Sequence, residues 1–213
     1  MPTQTSTAIS SQGSTLKVAT GTGSALSITA VAEGNPTVLT SAAHGLSNGD
    51  VVTISGSTAP AGLNGQYVVM FCTANTFAIA LDTTGGASFA GTTIATPVQW
   101  TQVGNFKTIK GFDGKTTIID VTNLSSTAKE KRAGLIDPGQ FAFDADIDLS
   151  DAGQAAIRAF QVSSSVTNYK LTLPNARTAT FAALVESTPW DGGVDKVLST
   201  TITLEITGAV TYA

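Results

Sequence analysis

Cysteine and histidine are almost absent from this sequence, which has one residue of each type among 213. The single cysteine, Cys72, excludes an internal disulfide and a cysteine-rich metal site. It ends the strand-like run YVVMFC, where we expect it to be a small buried apolar residue.

Long apolar runs are missing as well. No stretch approaches the roughly eighteen residues that a membrane-spanning helix needs. The opening residues MPTQTSTAISS contain neither the basic start nor the apolar stretch of an export signal. We therefore expect a soluble chain that is not exported and does not enter a membrane.

Charge is scarce and unevenly distributed. Charged residues make up 12 % of the chain, and the formal net charge is −4. Between Leu26 and Thr96 there is no Lys or Arg. An acidic chain without a basic stripe is not built for specific binding of nucleic acid, which depends on cations that neutralise phosphates. With 42 % apolar residues, the low charge indicates a surface that is covered by something other than water, and self-association is the simplest explanation.

Gly, Thr, Ser, Ala and Val are abundant, a composition typical of short strands joined by turns, so we predict an all-β fold. The first fifteen residues are rich in Ser and Thr and predict a flexible arm. Short strands separated by Gly, Asn and Pro turns then fill residues 26–96 and predict a compact β module. After Pro97 longer strand-like runs follow, and STAKEKRAGLIDPG reads as a long polar loop between two of them.

One short motif suggests catalysis. Gly45, Ser47 and Gly49 form a Gly-x-Ser-x-Gly pattern directly after His44. In a hydrolase this pattern joins a strand to a helix, and the catalytic His follows far downstream. Here the β-branched run DVVTISG follows, and there is no later His. The pattern therefore predicts a turn that leads into a strand, and we do not expect an enzyme.

A strand with an acidic face is predicted at QFAFDADIDL. Residues alternate along a strand, so one face carries Phe141, Phe143, Ala145, Ile147 and Leu149, and the other carries Asp144, Asp146 and Asp148. Two interpretations of the acidic face remain open, an isolated Ca²⁺ site and a solvated acidic surface. The absence of the Gly and the bidentate Glu of an EF-hand loop favours the second.

Two further features lie next to that strand. DAGQAAIRAFQ predicts the one amphipathic helix, with Ser150 as its N-cap and Asp151 in its first turn. The only dense charge cluster comprises Lys129, Glu130, Lys131 and Arg132. A charge run is usually a solvated loop, but long structureless connections are often functional. We predict a docking loop for an acidic neighbour.

The order of these features resembles the major tail tube protein of long, non-contractile-tailed bacteriophages. The resemblance rests on WTQVGNFKTIKGF, TTIIDVTNLSSTAKEKRAGLIDPGQFAFDADID, the helix DAGQAAIRAF and the closing GGVDKVLSTTITLEITG. It covers residues 12–25 and 97–213 and is most specific over residues 119–156.

The resemblance implies a tail-tube-type β-sandwich with one flanking α-helix, whose inner strands close a barrel within a hexameric ring. Rings would stack into the tail tube, the conduit for DNA during ejection, and no cofactor or metal is implied. The loop from Thr122 to Pro138, with the cluster at residues 129–132, would contact the next ring. The strand carrying Asp144, Asp146 and Asp148 would face the lumen, where its charge would repel DNA phosphates.

Partners and location are implied in the same way. The chain would bind copies of itself and the tail terminator, tip and tape measure proteins, while genomic DNA passes without specific binding. It would lie in the virion tail, after a stage of assembly in the host cytoplasm.

Residues 26–96 depart from this pattern. AHGLSNGDVVTISG, LNGQYVV and TANTFAIAL resemble a small β module found inserted in phage virion proteins. We therefore predict three segments: the arm and first strand at residues 1–25, an outward-projecting insert at residues 26–96, and the rest of the tube domain at residues 97–213. An alternative function is a virion adhesin or carbohydrate-binding protein that acts through the insert, although the insert has few aromatic residues for a sugar site.

Overall fold

The computed structural model describes residues 8–213, so residues 1–7 of the predicted flexible arm lie outside the described residues. Strand-forming, β-branched sequence dominates the described part, and it contains sixteen strands and one helix. Along the chain these are β1 Thr15–Thr22, β2 Leu26–Ser27, β3 Ala30–Ala32, β4 Thr37–Thr40, β5 Val51–Ala59, β6 Gly65–Met70, β7 Thr76–Ile79, β8 Ala90–Gln102, β9 Phe106–Gly111, β10 Lys115–Asp120, β11 Lys131–Asp137, β12 Gln140–Asp146, α1 Ala152–Ser163, β13 Thr167–Thr172, β14 Thr178–Ser187, β15 Trp190–Asp191 and β16 Ser199–Tyr212.

The prediction of an all-β fold with one helix is therefore confirmed for the described residues. Within them, α1 has 12 residues, and no helix is both long and apolar enough to cross a bilayer. The chain divides into two compact units. The first comprises the described part of Met1–Val103 with Asn168–Phe181 and Thr211–Ala213, and the second comprises Gly104–Thr167 with Ala182–Val210.

The first unit is built on strands in the order β3-β4-β7-β6-β5-β8-β1-β13-β14. The pairings resolved for β1 to β8 and between β1 and β13 are antiparallel. β8 runs without a break through Pro97, so the two strands predicted on either side of that proline are one. Strands β2 to β7 and the first half of β8 enclose a hydrophobic cluster. Its buried members all lie between residues 26 and 96: Ile28, Leu39, Val52, Ile54, Leu63, Val69, Phe77, Ile79 and Ala95.

Cys72 lies just after β6 and not within a strand, and it is only half-buried. The expectation of a fully buried strand residue was wrong, because β6 ends at Met70 and Phe71 adopts a positive φ. Burial raises the pKa of the Cys72 thiol to about 11. The thiol therefore stays protonated at neutral pH and is a poor nucleophile.

The second unit contains strands in the order β14-β16-β12-β9 and a separate two-stranded pair, β10-β11. β12 pairs antiparallel with both β16 and β9. One side of this sheet is buried because alternate residues of β12 and β16 are apolar. The buried set on these two strands is Phe141, Phe143, Ala145, Ile202, Leu204 and Ile206, and Ile157 of α1 is buried as well.

Helix α1 is capped one residue later than its sequence predicted. Asp151, and not Ser150, is the N-cap, and its Oδ1 accepts a hydrogen bond from Gln154 N at 2.7 Å. Both residue types are good caps, so spacing alone did not distinguish them. Gln154 itself is fully buried. Its amide donates to the carbonyls of Asp146 and Gly104 and accepts from Asp148 N, which fastens the end of β12 to the helix.

Candidate functional site

The hydrolase-like motif forms the turn before β5, as predicted. Ser47 and Asp50 close this turn, since Asp50 N donates to Ser47 O at 3.0 Å and Ser47 N donates to the Asp50 carboxylate at 2.8 Å. Both ring nitrogens of the buried His44 are engaged. Nδ1 accepts from Leu46 N at 3.0 Å, and Nε2 lies 3.2 Å from the carbonyl of Thr76. His44 therefore stabilises its loop and is not available as a base for Ser47.

The same turn packs against β13 and β14 of its unit. Gly49 is buried at a φ of +80°, and a Cβ built there would lie 2.2 Å from Thr178 Oγ1. Thr180 Oγ1 donates to the carbonyl of Gly49 at 2.8 Å. Asp50 forms a salt bridge with the buried Lys170, whose ammonium also lies 5.1 Å from the ring centroid of Trp100. These contacts hold the turn against β13 and β14, so the motif has a structural role.

The acidic strand has the predicted alternation as far as its last residue, Asp146. Phe141, Phe143 and Ala145 are fully buried on one face, and Asp144 and Asp146 are half-buried on the other. The prediction was wrong for the end of the pattern. β12 stops at Asp146, so Asp148 and the exposed Leu149 lie in the following turn.

Asp148 instead organises the turn before α1. Its Oδ1 accepts hydrogen bonds from the hydroxyl of Ser150 at 2.6 Å and from Ser150 N at 2.8 Å. These bonds lower the pKa of Asp148 below its usual value. Gln154 Oε1 also accepts a hydrogen bond from Asp148 N at 3.1 Å. This bond ties the turn to α1.

Asp144 is the best-connected carboxylate on the polar face of β12. Its oxygens accept from Thr108 Oγ1 at 2.5 Å and Thr201 Oγ1 at 2.6 Å, and Lys110 Nζ lies 3.7 Å away. The two threonine hydrogen bonds, and secondarily Lys110, hold the pKa of Asp144 below its usual value. The carboxylate therefore remains ionised well below neutral pH.

Lysines from the neighbouring strand β9 balance this face. Lys107 Nζ lies 2.5 Å from Asp146 Oδ1, in addition to the contact of Lys110 with Asp144. Sequence reasoning did not find these partners, because the pairing of β9 with β12 joins segments more than thirty residues apart. The face is consequently polar and rich in paired charges, and not uniformly acidic.

Half of the predicted polar loop at residues 126–139 is strand, since residues 131–137 form β11 of a β-ribbon, and the expectation was wrong for those residues. β10 and β11 pair from Lys115 opposite Asp137 to Asp120 opposite Lys131, with a register shift between Thr116 and Ile118. Only residues 121–130 form the connecting loop. Lys129 and Glu130 therefore lie in that loop, while Lys131 and Arg132 begin β11. We call β10, β11 and residues 121–130 the ribbon.

Large aliphatic side chains lie exposed on the ribbon. Ile118 is 65 % exposed, Ile119 49 %, Leu135 88 % and Ile136 72 %. Adjacent residues of a strand point to opposite faces, so each of these two pairs places an aliphatic side chain on both faces of the ribbon. A lone two-stranded ribbon is marginally stable in water. Exposed apolar surface on both faces of a ribbon favours its use as a contact surface for another molecule.

The end of the ribbon nearest its loop is cationic and poorly paired. Lys129 lies 4.0 Å from Asp120, a weak and exposed contact. Among the described residues, Lys131 and Arg132 form no ion pair. This end therefore keeps two cations available for a partner.

A pocket of about 210 Å³ lies at the opposite end of the ribbon. Its lining includes three carboxylates and one ammonium, and we call it the ribbon pocket. The lining residues are Asp113, Lys115, Asp137, Gly139, Gln140 and Glu205. Asp113 accepts from Gln140 N at 2.9 Å and Asp137 accepts from Gly139 N at 3.0 Å. No hydrogen bond or ion pair involving the Glu205 carboxylate occurs within residues 8–213.

The Ca²⁺ interpretation of the acidic strand finds no donor set in the described chain. No group of three or more Asp, Glu, His or Cys side chains there is arranged to hold a metal ion. Asp144 and Asp146 are instead engaged by threonine hydroxyls and lysines.

Most of the chain matches a known protein family. Residues 57–213 match the model of the family described as phage tail tube protein, TTP. The match begins within the segment predicted as an insert. No curated protein matches the chain. Among solved structures, a crystal structure of Hcp1 from Salmonella typhimurium is similar at 11 % identity, covering 76 % of this chain and 91 % of that one, with a TM-score of 0.26. At that TM-score the similarity supports no inference.

Proposed function

The chain belongs to the phage tail tube protein family, and we propose from this premise that it forms hexameric rings which stack into the conduit for phage DNA. The family is structural and non-enzymatic, and it places the chain in the tail of the virion. Assembly in the host cytoplasm and contacts with the tail terminator, tip and tape measure proteins form part of the same proposal.

The ribbon is the observation that carries the proposal. Four aliphatic side chains lie exposed on its two faces, and within the described residues Lys131 and Arg132 at its loop end form no ion pair. A monomer gains nothing from this arrangement, since exposed apolar surface costs free energy and two strands alone barely hold together. Copies of the chain packed on both faces of the ribbon would remove that cost. We therefore assign the predicted stacking role to the ribbon, with Lys129, Glu130, Lys131 and Arg132 at its contact end.

The polar face of β12 and its neighbours is proposed to line the lumen. Asp144 and Asp146 lie there with Thr108, Thr201 and the lysines of β9, and Asp148 lies at its edge. Hydroxyls and locally paired charges present no cationic stripe to DNA, so phosphates find no strong binding site. Genomic DNA could then slide through without being held.

Residues 26–96 are proposed to project outward from the ring. They enclose their own buried cluster, so they do not need the barrel interior to complete a core. About seventy residues placed inside the ring would also block the channel.

The proposal is tested by purifying the full-length chain at rising concentration and examining it by negative-stain electron microscopy and light scattering. Stacked rings with a central hole are expected, with outward knobs from residues 26–96. Discrete trimers without a channel would contradict the tube and favour an adhesin.

Charge reversal on the lumen face gives a separate prediction. In a phage that carries the chain, Asp144→Lys with Asp146→Lys would place four lysines on one face and bind DNA phosphates. Tubes should still form, and genome ejection should slow at least tenfold, measured as DNA release after triggering. Asp144→Asn with Asp146→Asn is the comparison variant: it leaves only Lys107 and Lys110 as unpaired cations on this face and should slow ejection less than the lysine variant does. Unchanged ejection in the lysine variant would rule out the lumen assignment.

A further inference from the structure

The two ends of the ribbon have opposite charge. The loop end has the cations Lys129, Lys131 and Arg132 against Asp120 and Glu130. The ribbon pocket at the other end has three carboxylates against Lys115. Neither Arg132 at one end nor Glu205 at the other forms an ion pair within the described residues. The loop end therefore has an excess of positive charge, and the pocket end has an excess of negative charge.

The two ends of one ribbon cannot meet. β10 runs from Lys115 at the pocket to Asp120 at the loop end. Five steps along a strand, at about 3.3 Å each, separate these ends by about 17 Å. A hydrogen-bonded pair of strands does not fold back over that distance, so any pairing must occur between molecules.

We propose that the loop end of the ribbon of one copy docks into the ribbon pocket of a second copy, with Arg132 facing Glu205. This inference rests on the proposed function and names the receiving site for the contact. The pocket has a volume of about 210 Å³. That is room for the head group of one long cationic side chain. Arginine is suited to it because its planar fork binds a carboxylate with two hydrogen bonds.

The geometry of such a contact explains how an assembly of copies would grow. It joins two different surfaces, so it is heterologous, and a pair of copies is left with one free loop end on one copy and one free pocket on the other. Copies can then be added until a ring closes or a tube extends. The excess of carboxylates also makes the pocket unsuitable for DNA or another polyanion, which leaves a cationic protein segment as the fitting occupant.

Reciprocal charge reversal tests this pairing in the full-length chain. Arg132→Glu and Glu205→Lys alone should each reduce the assembled fraction at least tenfold, measured by sedimentation velocity and negative-stain microscopy. The double variant Arg132→Glu with Glu205→Lys should return to within about twofold of wild type. A mixture of the two single variants should also co-assemble, through the reversed loop end of one and the reversed pocket of the other. Asp113 and Asp137 are left intact because both bind backbone N–H groups.

Matched controls separate a specific contact from a change of net charge. Arg177→Glu and Glu33→Lys make the same reversals at exposed residues in the first unit and should assemble as wild type. Circular dichroism should give the same melting temperature for all variants, because within residues 8–213 neither the Arg132 nor the Glu205 side chain forms an ion pair. If wild type assembles and the double variant stays as poor as the single ones, the pairing is wrong while the tube function stands. If the wild-type chain does not associate at all, the proposed tube function is contradicted, and the pairing falls with it.

Discussion

A chain with Gly49→Ala is expected to lose about 2–5 kcal/mol of unfolding free energy and to accumulate as insoluble protein. Two costs combine at this residue. Its φ of +80° is unfavourable for a residue with a Cβ by about 1–2 kcal/mol. The added Cβ would also lie 2.2 Å from Thr178 Oγ1 and 2.7 Å from Thr178 Cβ, and such overpacking costs about 1–3 kcal/mol. Rotating the threonine does not relieve the clash, because its Cβ is fixed to the backbone of β14.

Gly45→Ala is the matched control for this substitution. Gly45 also has a positive φ, of +65°, but a Cβ there would have no atom within 4 Å. Gly45→Ala should lower the unfolding free energy by only about 1–2 kcal/mol, the cost of a positive φ for a residue with a Cβ. Chemical denaturation monitored by circular dichroism measures both values. Equal stability of the two variants would contradict the docking of this turn on β14.

The turn also shows what a short motif can and cannot reveal. The run after Gly49 predicted a strand, and this was correct, so the hydrolase interpretation was excluded on sequence alone. The need for glycine at residue 49 could not be predicted from the local sequence. It arises from contacts with Thr178 and Thr180, about 130 residues away along the chain. Long-range packing of this kind leaves no local pattern.

Alternation explains why the acidic strand was predictable and β11 of the ribbon was not. β12 buries every second residue, so Phe141, Phe143 and Ala145 mark one face. β11 is exposed along almost its whole length, and its sequence KRAGLID has no period of two. An uncovered ribbon needs no apolar face within its own chain, and its pattern therefore resembles a loop.

The charge balance on the polar face of β12 could not be predicted without knowledge of the neighbouring strands. Asp144 and Asp146 were found from one strand alone, but Lys107 and Lys110 reach them only because β9 pairs with β12. Local sequence does not specify that register. The buried Gln154 was missed for a similar reason, since its partners at Gly104 and Asp146 lie outside the helix.

Aspartate in place of either isoleucine of β10 is expected to raise the concentration needed for tube assembly without unfolding the subunit. Ile118 and Ile119 are adjacent on β10 and point to opposite faces, and both are exposed in the single chain. Ile118→Asp and Ile119→Asp, made separately, should therefore change the unfolding free energy by less than about 0.5 kcal/mol, as exposed substitutions usually do. In the assembled tube each would remove the burial of one isoleucine, worth about 1.5–3 kcal/mol. The concentration needed for assembly should rise roughly ten- to hundredfold, since about 1.4 kcal/mol is a factor of ten.

Sedimentation of the chain across a concentration series measures that threshold for each face of the ribbon separately. Phe71→Asp is the control, because Phe71 is another exposed apolar side chain, at 70 %, on the segment proposed to project from the ring. It should assemble at the wild-type concentration. A raised threshold for only one isoleucine variant would mean that a single face of the ribbon is covered. Wild-type thresholds for both would show that the ribbon is not an assembly surface, and the tube would then need another contact to explain its growth.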